Sequence, residues 1–192
     1  MTGWIRGPAT VLWLWLPVFG ASSAAAMTVE RLAAGEQGQG YYVTFEATLQ
    51  APPGKVMDVL QDYPGYPDLD PRIIEARVEV TGPGQRLLYT TLRGCVGSVF
   101  CRDMRRVERL TETDRLLVAD AVAGRGDLVQ GRAETRVEPE GEGSRVTYRS
   151  DFEPSFWMPR WLVRSAMQHT LEDGTRRMFE NVERKAREGQ RP

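Results

Sequence analysis

The chain has 192 residues, with 25 Lys and Arg against 26 Asp and Glu and a single His, a formal charge of -1 at pH 7. That balance argues against a nucleic-acid partner, which calls for a basic patch, and gives an anionic membrane surface little to attract. With 41% hydrophobic residues and no repeat or low-complexity run, the composition is that of one domain with a real core.

The first 26 residues stand apart. Arg6 is their only charge, and Ala9 to Phe19 is a largely apolar run of eleven, interrupted by Pro17. Such a run is too short to span a bilayer, which needs about twenty residues. Ala24-Ala25-Ala26 then supplies the small residues that a signal peptidase accepts. Residues 1–26 therefore read as a cleaved secretory signal, with an uncleaved anchor as the alternative. The expected location is outside the cytoplasm: the periplasm of a Gram-negative cell, or the extracellular space. Losing Arg6 leaves 24 basic and 26 acidic residues, a formal charge of -2.

Residues 27–39 are mostly polar, carry Gly35 and Gly38, and are expected to form a poorly ordered lead-in. Residues 40–188 form the domain proper, and 189–192 a polar tail. Tyr41, Val43, Phe45, Ala47 and Leu49 alternate with polar residues, as a strand with one dry face requires. Pro52 or Pro53 suits a first helical turn, and Val56, Val59 and Leu60 follow at helical spacing until Pro64 and Pro67 end the helix. Six strand-like segments come next. Ile74, Ala76, Val78 and Val80 alternate, as do Val129, Gly131, Ala133, Thr135 and Val137, and then Val146, Tyr148, Ser150 and Phe152. Leu87 to Arg93 and Leu116 to Val122 have blurred faces. Phe100 to Leu110 is the least clear, with Arg102, Arg105, Arg106 and Arg109 on both sides.

Cys95 and Cys101 are the only cysteines. In an oxidising compartment so close a pair tends to form a disulfide. A reactive thiol pair is the rival reading; a zinc site lacks ligands, because no second Cys pair exists and His169 is far away in sequence.

A long helix from Pro159 to about Arg187 closes the chain, with Val163, Met167, Leu171, Gly174, Met178 and Val182 on one stripe. The fold class is α+β: an antiparallel sheet of about seven strands wrapped around this helix, with two short helices after the first strand. Glycine inside a helix costs about 1 kcal/mol relative to alanine, so Gly174 needs a reason. Met167 and Met178 flank it, and Gly131, Ala133 and Ser150 put small side chains on the facing strands. Small residues on both walls either let helix and sheet approach closely or leave a cavity; together they favour a cavity walled by these residues with Leu171, Tyr148 and Tyr89.

Two stretches resemble a known group of proteins. Val56, Val59, Leu60, Asp62, Tyr63, Tyr66 and Pro67 in VMDVLQDYPGYPD, followed by Ile73 opening a strand, are similar to the START-related SRPBCC superfamily, in its polyketide cyclase and coenzyme Q-binding branch. FEPSFWMPRWLV, Phe152 to Val163, is similar to the entry into that group's last helix. The resemblance covers roughly Gly40 to Ala186. It implies a helix-grip fold with a cavity for lipids, sterols, quinones or polyketides, and enzymes among a minority of members. The expected leader and the cysteine pair depart from many relatives.

Catalytic residues do not emerge. His169 falls on the helix face opposite the inner stripe, no Ser-His-Asp set can be built, and no phosphate loop appears. Phe156, Trp157, Met158 and Trp161 crowd the start of the last helix and mark a mouth; a gate that touches membrane in passing and a plug over the core fit them equally. The expectation is an exported binding or transport protein for a hydrophobic small molecule or lipid, with no cofactor and no metal. A cyclase or dehydratase using the same cavity is the alternative, and a ligand-free structural or envelope-stress factor the third.

Overall fold

The computed structural model describes residues 26–96, 100–156 and 160–189, so nearly all of the expected leader and the last three residues lie outside the described residues. In chain order the elements are β1 (Thr28–Gln37), β2 (Gly40–Leu49), α1 (Pro53–Leu60), a 3-10 turn (Tyr63–Gly65), α2 (Tyr66–Leu69), β3 (Ile73–Gly82), β4 (Gln85–Val96), β5 (Phe100–Glu112), β6 (Leu116–Gly126), β7 (Leu128–Glu140), β8 (Gly143–Pro154) and α3 (Arg160–Glu188). One antiparallel sheet in the order β1-β2-β8-β7-β6-β5-β4-β3 wraps around α3. This is the helix-grip arrangement, with eight strands in place of the expected seven.

The additional strand is β1, where a lead-in was expected. It pairs with β2 from Thr28 opposite Thr48 to Gln37 opposite Gly40, and Gly38, at φ +61°, turns the hairpin. A register shift between Val29 and Arg31 breaks its alternation, so Val29 and Leu32, three apart, both pack on the core. The same device displaces two other assignments. A shift between Ile73 and Glu75 buries Ile73 and leaves Ile74 45% exposed. Another between Leu128 and Gln130 buries Leu128 and leaves Val129 50% exposed.

The dry core lies under the C-terminal half of α3. Phe179, Val182 and Ala186 meet Phe45 and Leu49 of β2, Val56 and Leu60 of α1, and Leu69 of α2. The rings of Phe45 and Phe179 stack with centroids 4.6 Å apart. Helix α1 starts after Pro52, whose carbonyl accepts the Val56 amide at 3.1 Å, and Pro53 occupies the first turn, where a missing N–H costs nothing. Tyr63 is buried and donates to Glu112 at 2.6 Å; burial, then this bond, raises its pKa.

The middle of α3 is tied down by Arg72, just before β3. Its Nη1 donates to the Thr170 carbonyl at 2.8 Å, while Nε and Nη2 hold the buried carboxylate of Asp70. The guanidinium reaches that carbonyl across Gly174. A Cβ on residue 174 would lie 1.4 Å from Nη2 and 2.3 Å from Cζ of Arg72. The helix is glycine there because an arginine from another element occupies the side chain's place.

Gly174→Ala is accordingly expected to destabilise the protein by about 1.5 to 3 kcal/mol, the loss of charge-assisted bonds to a buried group. In an Arg72→Ala background the space is open, and the same change should be neutral or stabilise by up to about 1 kcal/mol through helix propensity. Urea melts of the four proteins measure the coupling. Equal effects in both backgrounds would show that Arg72 is not the reason for the glycine.

Candidate functional site

Toward its N-terminus α3 leaves the dry core and roofs a cavity of about 590 Å³, within the range of small-molecule sites. Met167, Leu171, Gly174 and Met178 form the roof. The sheet's register explains the depth below them. Ala119, Ala133 and Ser150 stand directly opposite one another on β6, β7 and β8, so one row across the sheet consists of short side chains. The next row, Leu117, Thr135, Tyr148 and Phe45, is larger and rises to Phe179, with the Tyr148 and Phe179 rings 5.7 Å apart. That row ends the cavity on the side of the dry core.

The opposite end reaches the surface between the β4–β5 hairpin and the start of α3. Exposed Arg93, Gly94 and Arg102 line it with Pro154 and Phe156. The Arg102 guanidinium sits 3.9 Å from the centre of the Phe156 ring, a cation–π contact. Just beyond, Cys95 and Cys101 face each other across the hairpin and form a disulfide, Cα atoms 4.0 Å apart. Of the expected mouth, Phe156 is at this rim; Trp157 and Met158 lie outside the described residues, as does the side chain of Trp161.

Most of the expected wall comes together here: Met167, Leu171, Gly174, Met178, Tyr148, Ser150 and Ala133 all line the cavity. Two residues do not. Gly131 lies beside the chain at Phe152, where an added Cβ would sit 3.2 Å from the Phe152 Cβ, and Phe152 rather than Gly131 lines the space. Tyr89 is on the other face of the sheet. Its ring lies 4.2 Å under the Arg77 guanidinium, and its hydroxyl accepts from Arg125 at 2.9 Å. The inward residues of β4 are Leu88, Thr90 and Leu92, so Tyr89 has the wrong parity.

Beside the expected hydroxyls of Tyr148 and Ser150, the cavity contains an ion pair that the alternation on β5 does not announce. Arg106 and Glu108 of β5 point inward between Met104 and Leu110 and form an ion pair; Glu108 is 2% exposed. Burial works against the charged guanidinium of Arg106, but Glu108 and the nearby Tyr148 and Tyr66 outweigh it and raise the pKa. Its Nε is buried without a protein acceptor. Tyr66 donates to the Leu60 carbonyl at 2.7 Å, and burial first, then Glu108, pushes its pKa up, so it stays a neutral hydroxyl. The cavity thus offers largely apolar walls, two neutralised ion pairs, Arg106–Glu108 and Arg72–Asp70, and the hydroxyls of Thr135, Tyr148 and Ser150. Among the described residues no three His, Cys, Asp or Glu side chains are placed to hold a metal ion, and His169 is exposed.

Comparison with known proteins agrees with this architecture. No curated protein matches the chain. Among solved structures, a protein of Thermus thermophilus superposes with a TM-score of 0.65 at 18% identity, covering 78% of this chain and 99% of its own. The Zhui aromatase/cyclase of Streptomyces sp. R1128 gives 0.63 at 17% identity, covering 78% and 95%. A STAR-related lipid transfer protein of Xanthomonas axonopodis (fragment 25–204) gives 0.60 at 14%, covering 85% and 99%. Likeness at such identities establishes the shared fold. The family model described as polyketide cyclase / dehydrase and lipid transport matches residues 42–187. With that match over most of its length, and the helix-grip sheet closed around an apolar cavity, the chain belongs to the polyketide cyclase/dehydrase and lipid transport family, within the START-like SRPBCC group.

Proposed function

We propose that the protein is an exported carrier that holds a hydrophobic small molecule or lipid, of the lipid, sterol or quinone class, between the sheet and α3. The observation that carries this reading is the chemistry of the wall. A cavity of about 590 Å³ lined by Leu, Met, Phe and Ala gains affinity from buried apolar area, about 25 cal/mol per Å². Its two ion pairs, Arg106–Glu108 and Arg72–Asp70, are internally neutralised, so a bare anion would have to compete with a carboxylate already in place for either arginine and would lose its hydration without recompense. A carbonyl oxygen has no such difficulty. It can accept from the part of the Arg106 guanidinium that lines the cavity, while the rest of the molecule lies along the row of small residues. Arg106 is then the residue that orients the cargo, and Met167, Leu171 and Met178 are the adaptable side chains that fit its shape.

Export is supported by the apolar run and alanine triplet of residues 1–26 and by the disulfide between Cys95 and Cys101. Among the described residues no helix is long and apolar enough to cross a membrane. The exposed Arg102 and the Phe156 ring at the rim fit a brief contact with a lipid surface during exchange.

Incubating the mature protein with an extract of lipids, sterols and quinones, followed by native mass spectrometry, should show one apolar ligand bearing a carbonyl or ester per chain. Capture of a small anion, or of nothing, would overturn the carrier reading, and turnover of the captured molecule would move the protein to the cyclase or dehydratase class. Replacing the ion pair with apolar residues, Arg106→Met with Glu108→Leu, should leave the fold as stable or more so. It should weaken a carbonyl-bearing ligand about tenfold, the loss of one hydrogen bond to a charged donor, and leave a pure hydrocarbon unaffected. Equal losses for both ligands would remove Arg106 from its orienting role.

A further inference from the structure

Helix α3 carries a buried acid of its own, far from the cavity mouth. Glu183 is 6% exposed. Its Oε1 accepts the Gln50 amide at 2.7 Å, at the end of β2, and its Oε2 accepts the Met27 amide at 3.0 Å, at the start of β1. These are neutral donors. The basic residues beside it on the helix are committed elsewhere, Arg184 to Glu188 and Lys185 to Asp68. Among the described residues no cationic nitrogen pairs with Glu183. A buried carboxylate is ordinarily accompanied by a cation or neutralised, and two amides compensate it only in part.

The nitrogen facing Oε2 belongs to the residue that follows Ala24-Ala25-Ala26, and Ala26 is exposed. Hydrolysis of the Ala26–Met27 peptide bond would add water across it, leaving a carboxylate on the departing leader and an α-amine on Met27. The amine takes up a proton at neutral pH, so a neutral donor 3.0 Å from Glu183 becomes an ammonium at the same place.

We propose that Glu183 is the receptor for the new N-terminus: cleavage after Ala26 creates the α-ammonium of Met27, which docks on Glu183 as a buried ion pair and fastens β1 and the end of β2 to α3. The proposal rests on the exported reading for the source of the amine. Processing thereby completes the fold's electrostatics, and the mature chain is more stable than its precursor.

The test uses the mature chain 27–192 in three forms: free amine at Met27, the same chain Nα-acetylated, and a chain retaining Ala25-Ala26 ahead of Met27. The acetylated form keeps the N–H donor and loses only the charge. The free-amine form should melt roughly 3 °C or more above the other two, and the gap should vanish with Glu183→Gln. Equal melting temperatures, or a gap that survives Glu183→Gln, would overturn the proposal. If the Gln variant does not fold, NMR titration of the Met27 amine decides instead: docking raises its pKa above the ordinary 7.7–8.0, and an ordinary value overturns it. The intact mass of the exported protein reads the cut independently. A chain starting anywhere but Met27 removes the proposed docking and leaves the carrier reading standing, whereas failure to capture a ligand sinks the carrier reading and leaves the docking untouched.

Discussion

Arg72 decides how α3 meets the sheet. The arginine stands just before β3, is gripped by Asp70, and donates from Nη1 to the Thr170 carbonyl, passing through the notch left by Gly174. On one side of that crossing α3 packs with Phe179, Val182 and Ala186 in a dry core; on the other, Met167 and Leu171 look onto open space. The guanidinium cannot be squeezed out cheaply, because doing so strands a buried carboxylate. A polar fastening at mid-helix lets one continuous helix be both a core element and the roof of a cavity.

The cavity itself follows from register. Short side chains aligned across β6, β7 and β8 leave room that one small residue among larger neighbours would not. Phe45, Tyr148 and Phe179 fill the adjacent row and stop the space from running into the core. Into this apolar room the chain places Arg106 and Glu108, paired with each other. Such a pair contributes little net stability, and it sets a charged but neutralised group among side chains that are mostly apolar.

Much of this was legible in the residues. The alternation in β2, β7 and β8, the stripe on α3 and the sequence around Tyr63 and Tyr66 specify the helix-grip order, and the cysteine spacing points to the disulfide found across the hairpin. Four features escaped. Register shifts in β1, β3 and β7 replace a period of two with a spacing no simple pattern reports, which hid β1 and exposed Ile74 and Val129. Parity was readable on β5, since Met104 and Leu110 flank Arg106 and Glu108 in step, but charge on a dry face contradicts the rule used to find the face. On β4, Leu87 and Leu88 are both buried, from opposite sides of the sheet, so Tyr89 could be assigned to either. Gly174 announced itself as an anomaly, but its cause is an arginine from another element, and nothing local encodes it.

Strand order also governs how the molecule can be made. From β3 to β8 every strand pairs with the next one in the chain, a run of hairpins that can zip up locally. The pairing of β2 with β8 is of another kind, bringing Leu49 against Ser144 and Tyr41 against Phe152. Such a closure is slow because a long loop must be ordered before any contact rewards it. A nascent chain therefore holds the β1–β2 hairpin in waiting until its last strand has emerged. During that interval the facing edges of β2 and β8 are both unpaired, the kind of edge that recruits other chains. Phe179 comes from the helix that follows, and its stacking on Phe45 links the sealing of this seam to the arrival of α3. The kinetic vulnerability of the protein is thus concentrated in one late seam.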